Sequence, residues 1–107
     1  MCRVLMPIKP EYAIQILEGR KTFEYRKNKF KRTNVDVIVI YVTSPVMKVL
    51  GEVELIDALE DSPMNIWKET SQSGGINKES YDKYFEGRNK AVAYVLGKVM
   101  KYSQEKS

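Results

Sequence analysis

Residues 35–45, VDVIVIYVTSP, constrain the fold of this chain more than any other stretch. The run is β-branched almost throughout and closes on Ser44-Pro45, which reads as a strand ended by a turn. Its near-continuous apolarity implies that both faces are covered, as in a barrel or a helix-packed sheet. Further strands are expected at RVLMPI (3–8), from Lys21 onward, at VMKVLGEVELIDAL (46–59) and at KAVAYVLGKVMKY (90–102). Gly51 and Gly97 interrupt the two longest of these, where a glycine marks a bulge or a tight bend.

Three helices punctuate the strands. KPEYAIQILEG carries Pro10 in its first turn, Glu11 at its positive end and Gly19 at its stop. Tyr12, Ala13, Ile16 and Leu17 form its apolar stripe. DSPMNIWKETSQ opens with Ser62 as cap and Pro63 in the first turn, and Ser73-Gly74-Gly75 breaks it. NKESYDKYFEGR runs from the cap Asn77 to Gly87. The expected fold class is α+β: a small curved β-barrel of about five to six strands, with one N-terminal helix and two helices in the C-terminal half. Mid-strand glycines favour such a curled sheet over a flat one.

A chain of 107 residues suits one domain spanning 1–107, since domains run roughly 100–200 residues. An apolar content of 43% is ordinary for a packed core. The single Cys2 permits no internal disulfide, and no apolar run is long enough for a membrane span, so a soluble, cytoplasmic protein is expected. With no His and one Cys, zinc sites built on those ligands are excluded. No metal or other cofactor is expected. Catalysis, if present, rests on Lys, carboxylates, hydroxyls or Tyr.

The net charge of +4 is concentrated. In RKTFEYRKNKFKR (20–32), Arg20, Lys21, Arg26, Lys27, Lys29, Lys31 and Arg32 face only Glu24. Such a block is either a solvated basic loop or the footprint of an anionic partner.

The string Gly19-x-Lys21-x-x-Glu24-x-Arg26, within IKPEYAIQILEGRKTFEYRK (8–27), resembles the signature of the ASCH domain, a branch of the PUA-like superfamily. The resemblance extends through YVTSP (41–45), GEVE (51–54) and the two later helices. It implies a PUA-like barrel with a cleft floored by the Lys-Glu-Arg strand, binding RNA or a nucleotide. Some members hydrolyse acylated nucleosides, and ribonuclease activity belongs to the family as well. The deacylating members use the motif Lys, a Thr at its fourth position and a Glu ahead of the last helix. Here Glu24 stands at the Thr position and SQSGG supplies no carboxylate, which sets this chain apart from that amide chemistry.

The resulting candidate ligand- or RNA-binding residues are Lys9, Lys21, Glu24, Arg26, Tyr41, Thr43 and Ser44, with Lys27, Lys29, Lys31 and Arg32 as outlying phosphate contacts. If the protein is an enzyme acting on RNA or a modified nucleoside, Lys21 and Glu24 are the candidate catalytic pair. Several have plainer alternatives. Glu24 and Arg26, two residues apart, make a surface ion pair, Lys21 reaches solvent, Ser44 caps its turn, and Lys9 hangs free. Trp67, Tyr81, Tyr84 and Phe85 have helical packing spacing, and Tyr84 could instead stack on a base. The Ser73-Gly74-Gly75 tract is a lid or a plain loop. By strict alternation Lys21 shares a face with Phe23 and Tyr25, opposite Thr22, Glu24 and Arg26. A site holding both Lys21 and Glu24 therefore requires a bulge or twist near Thr22.

Overall fold

A computed structural model describes residues 2–32 and 34–106, with backbone only for 104–106. Five strands form one curled sheet: β1 (Arg3–Ile8), β2 (Phe23–Arg26), β3 (Val37–Val42), β4 (Lys48–Asp61) and β5 (Ala91–Lys106). Their spatial order is β1-β3-β4-β5-β2, with β1 and β3 parallel and every other pair antiparallel. The helices are α1 (Pro10–Leu17), α2 (Pro63–Thr70) and α3 (Lys78–Tyr84), and a 3-10 turn (Ser71–Ser73) follows α2. The expected α+β class holds, with five strands in a half-barrel. The two edge strands are β1 and β2, and Arg26 Nη2 bridges them by donating to the Pro7 carbonyl at 2.7 Å.

The punctuation read in the sequence operates as expected. Pro10 opens α1, Glu11 lies in its first turn, and Gly19 takes φ +79 beyond its end. The side chains of Ser62 and Asn77 accept from the backbone N–H groups of Asn65 and Ser80, capping α2 and α3. On the central β3, Ile38, Ile40 and Val42 are buried, while Val39 and Tyr41 are half-buried. These buried side chains join Ala13 and Ile16 of α1 in the main core. A second cluster forms where α2 and α3 cover β2 and β5: Tyr25, Ile66, Tyr81, Phe85, Ala91 and Ala93.

Curvature comes from β4 and β5. Register shifts fall between Val49 and Gly51, Val53 and Leu55, and Leu55 and Asp57. At Gly51 a Cβ would stand 2.6 Å from the Met100 carbonyl oxygen and 2.9 Å from Leu17 Cδ2. Gly51→Ala is accordingly expected to cost about 1–3 kcal/mol by overpacking. A thermal melt should show this as a midpoint lower by roughly 5–20 °C. No helix among the described residues is long and apolar enough to cross a membrane.

Candidate functional site

A cleft of about 660 Å³ lies along the seam between the two edge strands. The start of α1 supplies Lys9, Glu11 and Tyr12, β1 supplies Pro7, and the turn after β3 supplies Thr43. From the far side α3 contributes Ser80, Lys83 and Tyr84. Lys21, Glu24, Tyr25 and Arg26 also line it.

Glu24 organises these charges. It is 6% exposed, yet its two oxygens meet two cations: Oε2 lies 2.9 Å from Arg26 Nη2 and Oε1 lies 3.8 Å from Lys21 Nζ. Lys21 is 2% exposed. Its ammonium donates to the Gly74 carbonyl and sits 4.8 Å from the Tyr25 ring centre and 5.2 Å from that of Tyr12. The plain surface-pair reading is therefore replaced by one in which Lys21 and Glu24 are buried and Arg26 half-buried, with solvation lost and pairing compensating. Burial pushes the Lys21 pKa down from 10.5 to about 8, the Glu24 charge opposing and the Arg26 charge assisting that fall. Burial likewise pushes the Glu24 carboxyl above its usual range, against the pull of Lys21 and Arg26. Arg26 Nε is buried with no hydrogen-bond partner among the described residues.

The geometry resolves how Lys21 joins Glu24. Strand β2 begins at Phe23, two residues later than expected, so alternation does not reach Lys21. Upstream, the backbone N–H of Lys21 donates to the Gln15 carbonyl at 3.1 Å, and that of Thr22 to the Ser73 carbonyl at 2.9 Å. Lys21 thus leaves the end of α1 as a turn residue, and its stem runs beneath residues 73–75. Gln15 Nε2 holds that segment from below by donating to the Gly75 carbonyl at 3.2 Å.

The two glycines make this close approach possible. A Cβ at Gly74 would lie 2.1 Å from Tyr25 Oη, and one at Gly75, whose φ is +67, 2.9 Å from Lys21 Cδ. Tyr25 is fixed in turn by Thr70. The Thr70 hydroxyl donates to the Ile66 carbonyl at 2.7 Å, so Tyr25 Oη is the donor in its 2.7 Å bond to Thr70 Oγ1. The segment is a strap packed on Lys21.

Among the other expected positions, Lys9 and Thr43 line the cleft, whereas Tyr41 and Ser44 do not. Ser44 is exposed and precedes a cis peptide bond to Pro45. Lys27 stands at the cleft edge, its ammonium 4.9 Å from the ring centre of Tyr84. Lys29 and Arg32 line a second, smaller hollow, and Lys31 is exposed. Trp67, Tyr81 and Phe85 pack in or against the second core cluster, while Tyr84 is 38% exposed and faces the cleft. Tyr12, Ser80 and Lys83 are lining residues that the sequence pattern did not single out. The last two fall with Tyr84 at i, i+3 and i+4 on one face of α3. Among the described residues, no group of three His, Cys, Asp or Glu side chains could hold a metal ion.

The ASCH domain family matches residues 6–102. This chain belongs to the ASCH domain family. An ASCH domain-containing ribonuclease of Zymomonas mobilis is 32% identical over 87 residues, which cover 81% of this chain and 59% of that protein. The large ribosomal subunit protein uL22 of Ureaplasma parvum is 41% identical over 69 residues, 64% of this chain and 22% of that protein. The chain thus spans about a fifth of the uL22 protein and under two-thirds of the ribonuclease. Among solved structures, ASCH from Zymomonas mobilis superposes with a TM-score of 0.87 at 28% identity, covering 92% of this chain and 69% of that one. A point mutant of the same protein gives 0.89 at 27% identity, covering 94% and 73%. The ASCH domain thus accounts for the half-barrel and its helices.

Proposed function

We propose that this ASCH domain binds RNA in the seam cleft. The observation that carries the reading is the buried Lys21–Glu24 pair, joined by a half-buried Arg26, opening on a cleft lined by further lysines. Burying the Lys21 and Glu24 charges is costly, and a fold that needed only stability would be served as well by apolar side chains. The cleft offers what single-stranded RNA requires: cations for phosphate, rings for bases and a carboxylate for a hydroxyl or amino group. In this reading Arg26, Lys21 and Lys9 hold phosphate or base edges, Glu24 selects the sugar hydroxyl or base amino group, and Tyr84 stacks. The ribonuclease relative brings RNA forward as the ligand class.

The test is fluorescence anisotropy with single-stranded RNA, DNA of the same sequence, a mononucleotide and a nucleoside. RNA should bind most tightly. Four cations line the cleft, Lys9, Lys21, Arg26 and Lys83. At about −0.7 per cation engaged, log affinity should fall with log salt at a slope near about −3. Absence of RNA binding would sink the proposal, and a flat salt response would point to a neutral ligand.

A second reading, RNA cleavage, is favoured by the lowered pKa of Lys21 as well as by the relative. The 2′-hydroxyl oxygen would attack the adjacent phosphorus and the bond to the 5′-oxygen would break, giving a 2′,3′-cyclic phosphate. Neutral Lys21 would take the 2′ proton, Arg26 would offset charge on the phosphoryl oxygens, and a proton from water would complete the leaving 5′-hydroxyl. A 5′-labelled RNA that yields this cyclic end only with the parent protein would support it.

A further inference from the structure

We infer that bound RNA continues past the cleft along the 27–32 loop and lodges a second nucleobase in the hollow between that loop and β4. The inference rests on the RNA reading and extends it to a site with different residues. The hollow measures about 260 Å³. Leu55, Ile56 and Ala58 of β4, with Val35, supply apolar lining, Phe30 supplies a ring backed by the buried Tyr94, and Asp57 adds one carboxylate. Lys29 and Arg32 stand at the same hollow, both exposed. Ile56, at 62% exposed, is a large apolar side chain left open beside them. An apolar, ring-bearing hollow with two exposed cations against one carboxylate suits a base with its attached phosphates, because the base gains from leaving water and the phosphate from the net positive charge.

Asn28 and Phe30 of the loop beside the hollow are held by side chains outside it. Phe30 lies face to face on Tyr94, centroids 4.7 Å apart and planes 16° from parallel. The Phe30 backbone N–H donates to Tyr94 Oη at 2.8 Å. Arg88 holds the preceding turn by donating from Nη2 to Asn28 Oδ1 at 3.2 Å. Asn34 closes the loop at φ 61, a conformation that Asn adopts more readily than most residues. A preformed subsite does not require the loop to be ordered on binding.

The two sites are also close along the chain. Arg26 lines the cleft and Phe30 lines the hollow, and the four-residue step between them spans at most about 14 Å. Between the two lies Lys27, against the Tyr84 ring, followed by Lys29. A strand leaving the cleft at Tyr84 would meet a cation before the next apolar surface.

The test uses a ten-nucleotide single-stranded RNA with 5-bromouridine at successive positions, irradiated on the protein and mapped by peptide mass spectrometry. Crosslinks are expected at two places: around Tyr12 or Tyr84 in the cleft, and within residues 28–35 or 55–58. Ile56→Ser, a neutral change at an exposed position, should weaken the ten-nucleotide RNA about fivefold and leave mononucleotide affinity unchanged. If RNA is bound and crosslinked in the cleft but never at the hollow, the inference is overturned while the cleft reading stands. Failure of the parent protein to bind RNA at all would overturn both. Unchanged affinity of Ile56→Ser for the ten-nucleotide RNA would also count against the second subsite.

Discussion

Lys21→Met combined with Arg26→Gln is expected to lower affinity for single-stranded RNA by about 100-fold or more. Hydrogen bonds to a charged group contribute about 1.5–3 kcal/mol each, so losing two such donors reaches that range. The two side chains share Glu24, so their effects will not add independently, and the single variants belong in the same experiment. Met keeps an unbranched stem against Tyr12 and Tyr25, and Gln keeps part of the length of Arg26. Glu24 would lose both cations, and burial already favours its protonated form. Circular dichroism should therefore still report a folded half-barrel, although a less stable one.

Proton control gives the same prediction a second readout. As pH rises through about 8, Lys21 loses its charge, and RNA affinity of the parent should decline across that interval. Lys21→Met should lack this decline. A double variant that binds RNA like the parent would remove the cleft from consideration as the RNA site.

Much of the fold was legible because its signals are local. Pro10, Glu11 and Gly19 bracket α1 within ten residues, and Ser62 and Asn77 bond to N–H groups three positions away. Gly51 announced curvature because no other residue fits between Met100 and Leu17 without a shift. The site was legible in its residue types but not in its connections. Alternation mispositioned Lys21 because β2 starts only after the backbone of Lys21 and Thr22 has bonded to Gln15 and Ser73, and the second partner is distant in sequence. The strap over Lys21 and the Arg26–Pro7 bridge are long-range for the same reason.

The residues at the end of β3 diverge in a way their sequence does not announce. The β3–β4 register shifts between Ile40 and Tyr41, and Thr43 lines the cleft while Tyr41 and Ser44 do not. Ser80 and Lys83 went unnoticed because a helix face that lines a cleft has the composition of one that faces water.

The stability of the protein should report directly on the proton of Lys21. Unfolded, this lysine titrates at its ordinary value of 10.5, and folded at about 8. Between those two values the unfolded chain holds a proton that the folded chain has released, so stability rises with pH. Below about pH 8 both states are protonated, and the folded state bears the full cost of the buried charge. Relative to Lys21→Met, the parent should therefore gain up to roughly 3 kcal/mol between about pH 8 and pH 10.5, at about 1.36 kcal/mol for each pH unit crossed. Urea titrations of the two proteins at half-unit steps measure the difference. The comparison cancels tyrosines remote from Lys21, whereas Tyr12 and Tyr25 touch it, so the part below about pH 10 is the most decisive. The outcome separates the two readings of the cleft. A rising difference establishes a neutral Lys21 population close to physiological pH, which proton abstraction from a ribose hydroxyl requires. A flat difference leaves Lys21 a permanent cation, able to hold RNA but not to act as its base.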